Sequence, residues 1–211
     1  MDDSRIWISD WRFNHPGFTF ARFRKTQEGW KQIIPDSDWS MQNTLRVSER
    51  ISFHRPVDPA HVPESAYHTS TGTAFRENDF FQMGDIPVLC AHGRRVLEEF
   101  DLGENQLFNV NMHDRPEQPL RDNPYAILNV LEAKDCLVPE QSTLRKIGRT
   151  GKWRCSPPEL PNLVVRECAA EGVDLWYDPI FPRDVFFSGR LAGRLVAEQF
   201  TGINFFPLKT I

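Results

Sequence analysis

The sequence predicts an α+β protein: mixed sheets with antiparallel N-terminal strands and two related strand–helix–strand units, folded as a single compact body. Three observations carry this. Short apolar runs bounded by Pro, Gly and Asn recur along the 211 residues, which is strand patterning. Two stretches near 91–100 and 188–200 instead space their apolar residues as helices do. A chain of this length, 40% hydrophobic and 26% charged, can bury one sizeable core.

The elements follow in order. RIWISDWRF and GFTFARF, joined by Asn14-His15-Pro16-Gly17, read as a β-hairpin within residues 5–34. Residues 35–85 are irregular, with LRVSERISF at 45–53 the one strand. IPVLC is a short buried strand, and Gly93, Val96, Leu97 and Phe100 mark the helix that follows, closed at Gly103. NQLFNVNM is the next strand and MHDRPEQPLRDNP a polar loop. In PYAILNVLEAKDCLVP, Ala126, Leu128 and Val130 alternate with Ile127, Asn129 and Leu131. Arg145, Lys146, Arg149, Lys152 and Arg154 make residues 143–155 a basic exposed turn or hairpin. Residues 1–85 form a β-rich region with long loops and 86–211 an α+β region, within one continuous domain.

VLCAHGRRVLEEFDLGENQLFNV aligns without a gap on FFSGRLAGRLVAEQFTGINFFPL at an offset of 98. The paired units are 86–110 and 184–208. Pattern alone leaves duplication and coincidence equally open. Ser188 suits an N-cap of the second helix, whereas its counterpart Cys90 is a poor one.

Chemistry is sparse. A net charge of −4 with a pI near 5.9, and a single basic run, argue against nucleic-acid binding. MDDSRIWISDW has no secretory pattern and no apolar run is long enough to span a membrane, so a cytoplasmic protein is expected. Cys90, Cys136, Cys155 and Cys168 are then reduced, mostly buried thiols, Cys168 lying beneath a helix or strand. Cys90 with His92, His113 with Asp114, and His61 with His68 lack the spacing of a metal site, and no cofactor is expected. Ser70-Thr71-Gly72-Thr73 reads as a turn, and Glu98 and Glu99 as a solvated helix face. A hydrolase or transferase would have to use Cys155, Cys168 or Ser188, none in a nucleophile motif.

Tyr125, Asn129, Asp135 and Ser142 in the centre, with Trp176, Phe187, Ser188, Leu195, Gly202, Phe205 and Pro207 in the tail, resemble the Imm11-type immunity proteins of bacterial polymorphic toxin systems. The resemblance covers about residues 86–211. Tyr177 departs from it, standing where that family often has Arg; Cys136-Leu137-Val138 replaces a more acidic run. It implies a non-enzymatic protein that neutralises a cognate toxin, often one of a type VI or related secretion system, by stoichiometric binding. For the binding surface, loops mixing acids and aromatics are the candidates: Arg76, Glu77, Asp79 and Phe80, then Asp114, Arg115, Glu117 and Arg121. Plain solvent exposure is the competing account of each. An adaptor without a toxin partner and an uncharacterised enzyme remain the alternatives, and a homo-oligomer is left open.

Overall fold

The computed structural model describes residues 5–11, 18–19, 22–26, 29–33, 47–68, 78–115, 118–121, 123–146 and 153–211. Along the chain come β1 (Ile6–Ser9), β2 (Phe18–Thr19), β3 (Arg22–Thr26), β4 (Gly29–Ile33), β5 (Ser65–His68), β6 (Phe80–Met83), β7 (Ile86–Leu89) and helix α1 (Ala91–Leu97). Then follow β8 (Gln106–Arg115), β9 (Gln118–Pro119), β10 (Tyr125–Asn129), β11 (Arg145–Lys146), β12 (Trp153–Arg154) and β13 (Val164–Val165). The chain closes with β14 (Leu175–Asp178), β15 (Phe181–Ser188), helix α2 (Gly189–Ala197), β16 (Phe205–Pro207) and β17 (Lys209–Thr210).

Two sheets dominate this α+β fold, an antiparallel one ordered β14-β15-β1-β16 and a mixed one ordered β2-β5-β8-β10-β7-β6, with β9 on the end of β8. The larger sheet curls so that its end strands β2 and β6 approach each other. Period-2 alternation divides the side chains among three cores. Leu89, Ala126, Leu128, Leu175 and Phe187 enter a central one with Val96 and Leu97 of α1 and Leu191, Ala192 and Leu195 of α2. Val88, Tyr125 and Ile127 face outward to a second core with Val47 and Ile51. Ile6, Ile8, Trp176 and Phe186 face a third, closed by Leu137, Leu160, Leu163 and Val165. Both faces of each sheet are therefore covered, which explains why β10 is buried along its whole length instead of alternating in and out.

The first hairpin expectation fails. β1 pairs with β15 and β16, Ile8 lying opposite Phe186 on one side and Phe206 on the other, while β2 joins β5 in the other sheet. The expected turn at 14–17 lies outside the described residues. Residues 47–52 are helical rather than a strand. Val47 and Ile51, four apart, are buried, whereas Glu49, Arg50 and Ser52 between and beside them are exposed. That helix ends on His54 at φ 51°, with Arg55 N–H donating to Arg50 O and His54 N–H to Ile51 O, a Schellman closure. The polar run after Met112 is also not all loop, since β8 continues through His113, Asp114 and Arg115. Finally, α1 stops at Leu97, with Glu98 as its C-cap, well before Gly103.

The two sheets share a plan. Ile127 of β10 lies between Val88 and Phe108, and Ile8 of β1 between Phe186 and Phe206, each flanking pair shifted by 98. The same shift relates the helix N-caps Cys90 and Ser188, and the residues Asp58 and Ser156 that begin the 3-10 turns Pro59–His61 and Pro157–Asn162. Asn111 and Met112 pair in parallel with Ser65 and Ala66; Lys209 and Thr210 pair in parallel with Val164 and Val165. The central strand of each sheet comes from the other half of the chain: β1 enters the sheet of the C-terminal half and β10 that of the N-terminal half.

Candidate partner interface

Ser188 sits at the β15–α2 junction with 3% exposure. Its Oγ accepts the Leu191 N–H at 3.2 Å and donates to Asp174 Oδ1. That carboxylate, wholly buried, also receives Nε and Nη2 of Arg190 and the Asp101 N–H. The hydroxyl is thus committed to capping a helix over a buried ion pair. Cys90 does cap α1, its sulfur accepting the Gly93 N–H at 3.3 Å. Burial, chiefly, pushes that thiol up to about 11 and the Cys136 thiol, beneath the Trp176 indole N–H, up to about 12. Neither offers a thiolate near neutrality. Cys155 is buried, but Cys168 is exposed, contrary to expectation, because it lies in the single 3-10 turn Glu167–Ala170 rather than under an element.

The histidines go to separate tasks. His92 reaches Glu198 at 2.7 Å across the two helices, while His68 approaches Asp114 at 3.4 Å. His113 stacks on Tyr67, and burial lowers its pKa. Among the described residues no three His, Cys, Asp or Glu side chains converge as metal ligands. His54, which the sequence did not single out, spans the two sheets: Nδ1 lies 2.7 Å from Val130 O and Nε2 2.6 Å from Pro182 O. Its ring stacks on Tyr177 with centroids 3.6 Å apart. Both neighbours are acceptors, so only the imidazolium could satisfy both, yet desolvation holds its pKa below the ordinary value.

The residues of the family pattern are framework groups. Tyr125, Trp176 and Leu195 are buried, and Asn129 Nδ2 donates to Arg55 O and Gln106 Oε1. Ser142 Oγ donates to Val138 O and accepts the Val164 N–H, Asp135 pairs with Arg166 at 3.2 Å, and Gly202 turns the chain at φ 82°. Two bracing groups escaped the sequence reading. Lys134 Nζ donates to the carbonyls of Ala169, Glu171 and Val173, each at 2.8 Å, over the Trp176 ring. Asp178 gathers the N–H groups of Cys136, Leu137 and Ile180. Such groups need several distant backbone atoms at once, so no local pattern marks them.

The proposed contact residues fall differently. Arg76, Glu77 and Glu117 lie outside the described residues. Asp79 is half-buried, its carboxylate held by the N–H and Oγ1 of Thr201, each at 2.7 Å. Phe80 is buried in the central core against Trp11 and Phe200, so it offers a partner no surface. Asp114 and Arg115 belong to β8, and Arg121 is exposed at the turn beyond β9. The basic run does form a hairpin, β11 against β12, with Arg145, Lys146 and Arg154 exposed and Trp153 half-buried. Arg145 bridges to Glu159 at 2.9 Å. The Ser156 N–H first, then Arg145, hold the Glu159 carboxyl below its usual value.

No curated protein matches the chain. The model of the Immunity protein family (Imm11) does, over residues 19–210. That match begins far upstream of residue 86, so most of the N-terminal half, which the sequence motifs left aside, is part of the family pattern too. A match of this length leads to one assignment: the chain belongs to the Imm11 immunity protein family.

Proposed function

We propose that this protein protects its host by binding a cognate toxin stoichiometrically and occluding its active site or substrate path. The observation that carries this reading is the match to the Immunity protein family (Imm11) over residues 19–210. Ser188, Cys90 and Cys136 are each held in capping or core contacts, while Cys168 is exposed. The reading extends to a cytoplasmic, non-catalytic protein that works as one continuous domain, against a toxin of a type VI or related secretion system. Affinity would come from a few desolvated aromatic and charged anchors with near-neutral contacts around them.

The test is co-expression. The product of a neighbouring toxin-like gene is induced in a sensitive bacterium with and without this protein, and the pair is then co-purified. Restored growth with a 1:1 or 2:2 complex is the expected result. Unrelieved toxicity with no complex sinks the reading and returns weight to an enzyme or an adaptor.

A further inference from the structure

We propose that Phe53 and Arg55, held outward where the helix at 47–52 closes, form an anchor that enters an apolar, acid-rimmed pocket on the cognate toxin. This deepens the binding reading above and rests on it. The anchor lies outside the loops that the sequence pointed to.

Phe53 is 57% exposed, the most exposed large hydrophobic side chain among the described residues. Every other Phe, Tyr or Trp whose side chain is described is buried or half-buried. A single exposed aromatic is ordinary on a protein surface, so exposure alone assigns nothing. Two further features set Phe53 apart: how firmly its backbone is held, and what lies over its ring.

The backbone is fixed at each step. Phe53 N–H donates to Glu49 O at 3.0 Å and Arg55 N–H to Arg50 O at 2.8 Å, closing the helix through His54 at φ 51°. That left-handed conformation is uncommon for a residue with a side chain. The His54 ring secures it, seated between Val130 O and Pro182 O and stacked on Tyr177. Arg55 O accepts from Asn129 Nδ2 at 2.9 Å, and Pro56 O accepts from Arg50 Nε. Val57 exchanges two hydrogen bonds with the Gln106 side chain. Ile51 and Val57 are buried in the second core, and Phe53 and Arg55 between them are left outside. A two-torsion side chain on so fixed a backbone has little freedom left to lose when a partner binds.

The Arg55 guanidinium lies 5.6 Å from the Phe53 ring centroid, within cation–π range. Arg94, Arg145, Arg166, Arg183, Arg190 and Arg194 each pair with a carboxylate. Arg55 pairs with none among the described residues. Nearby charges are placed otherwise: Arg50 turns to Pro56 O, Asp58 accepts the Ala60 N–H, and Glu49 stands one helical turn before Phe53. Aromatic and arginine side chains together are what protein interfaces most often use as anchors. The pair also selects its partner: an apolar pocket for the ring, with a carboxylate at the rim to meet Arg55. Two arginines in a chain of net charge −4 make no basic face for a polyanion.

The experiment measures the affinity of the full chain for the neighbouring gene's toxin at low and physiological salt. The variants are Phe53→Ala, Arg55→Glu and Arg55→Met. Phe53→Ala is expected to weaken binding about 30-fold, and Arg55→Glu about tenfold with a flatter salt dependence. Arg55→Met, which keeps the stem and loses the charge, should fall between Arg55→Glu and the unaltered chain. Thermal midpoints should stay within about 2 °C, because both side chains are exposed. A wild-type complex whose affinity stays within about threefold in every variant overturns the anchor alone. Absence of any wild-type complex overturns the immunity reading and the anchor with it. A Phe53→Ala midpoint lower by more than about 5 °C would mean that the ring packs on its own chain. A wild-type dimer that Phe53→Ala splits in sedimentation would assign the ring to a second copy, and either result overturns the proposal.

Discussion

Asp79 and Asp174 stand one residue before β6 and β14 and perform the same task in different surroundings. Each carbonyl accepts the N–H of a helix N-cap, Cys90 for Asp79 and Ser188 for Asp174. Each carboxylate clasps the loop that leaves the opposite helix, Thr201 for Asp79 and Asp101 for Asp174. The difference is polarity beneath the cap. Asp79 is half-buried and its neighbour is a neutral thiol; Asp174 is fully buried and recruits both the Ser188 hydroxyl and Arg190. Backbone wiring is thus common to the two halves, while the side chains around it have diverged, and only the second half depends on a buried charge.

The sharpest way to break the comparison is to remove the two carboxylates in turn. Asp174→Ala strips a buried acceptor from Ser188, Arg190 and the Asp101 N–H. It should cost about 3 kcal/mol or more, read as a lower urea midpoint. Asp79→Ala, at a half-exposed clasp, should cost only about 1–2 kcal/mol in the same assay. Equal losses would mean that the ion pair adds nothing to the clasp.

The caps give a smaller contrast. Ser188→Ala should cost about 1–2 kcal/mol, since the first-turn N–H and the Asp174 carboxylate both lose a partner. Cys90→Ser should move stability by less than about 1 kcal/mol, because a better acceptor oxygen is offset by burial of a more polar group. Chemical denaturation of both variants settles which cap matters more.

His54, the tie between the sheets, should show the smallest effect. Burial lowers its folded pKa beneath the unfolded value, so the unfolded chain binds more protons between the two. Stability is then full above the unfolded pKa of about 6.5 and falls as pH drops below it towards the folded pKa. His113 acts in the same direction. Unfolding curves from pH 7.5 down to about 5 should show a decline that His54→Gln makes shallower.

What the sequence made legible was local. The strand IPVLC, both helices, the Ser188 cap and the basic hairpin rest on neighbours within a turn or two, where periodicity and capping chemistry act. What it hid was non-local. Nothing within RIWISDWRF says that Ile8 belongs beside Phe186 and Phe206 rather than beside GFTFARF, because β1 has the same composition whichever strands flank it. LRVSERISF carries β-branched residues that suit a strand, yet burial of Val47 and Ile51 on one side of a helix overrides that propensity. Arg145 to Arg154 stand out in the sequence as a basic run without an acid, whereas the pairing of Arg24 with Lys31, matching that of Arg145 with Arg154, is known only from cross-strand register.

The exchange of central strands has a consequence for how the chain comes to be made. β1 leaves the ribosome first and its partners, β15 and β16, nearly last. The sheet of the N-terminal half cannot close until β10 has also emerged. The larger sheet can close once β10 is made, but the sheet that takes β1 waits on synthesis of almost the entire chain, and the long loop closure slows it. The same interlock works in reverse after cleavage. A chain cut within 147–152 would leave β1 on the first piece and its partners β15 and β16 on the second, and the two should stay together as one particle until denatured.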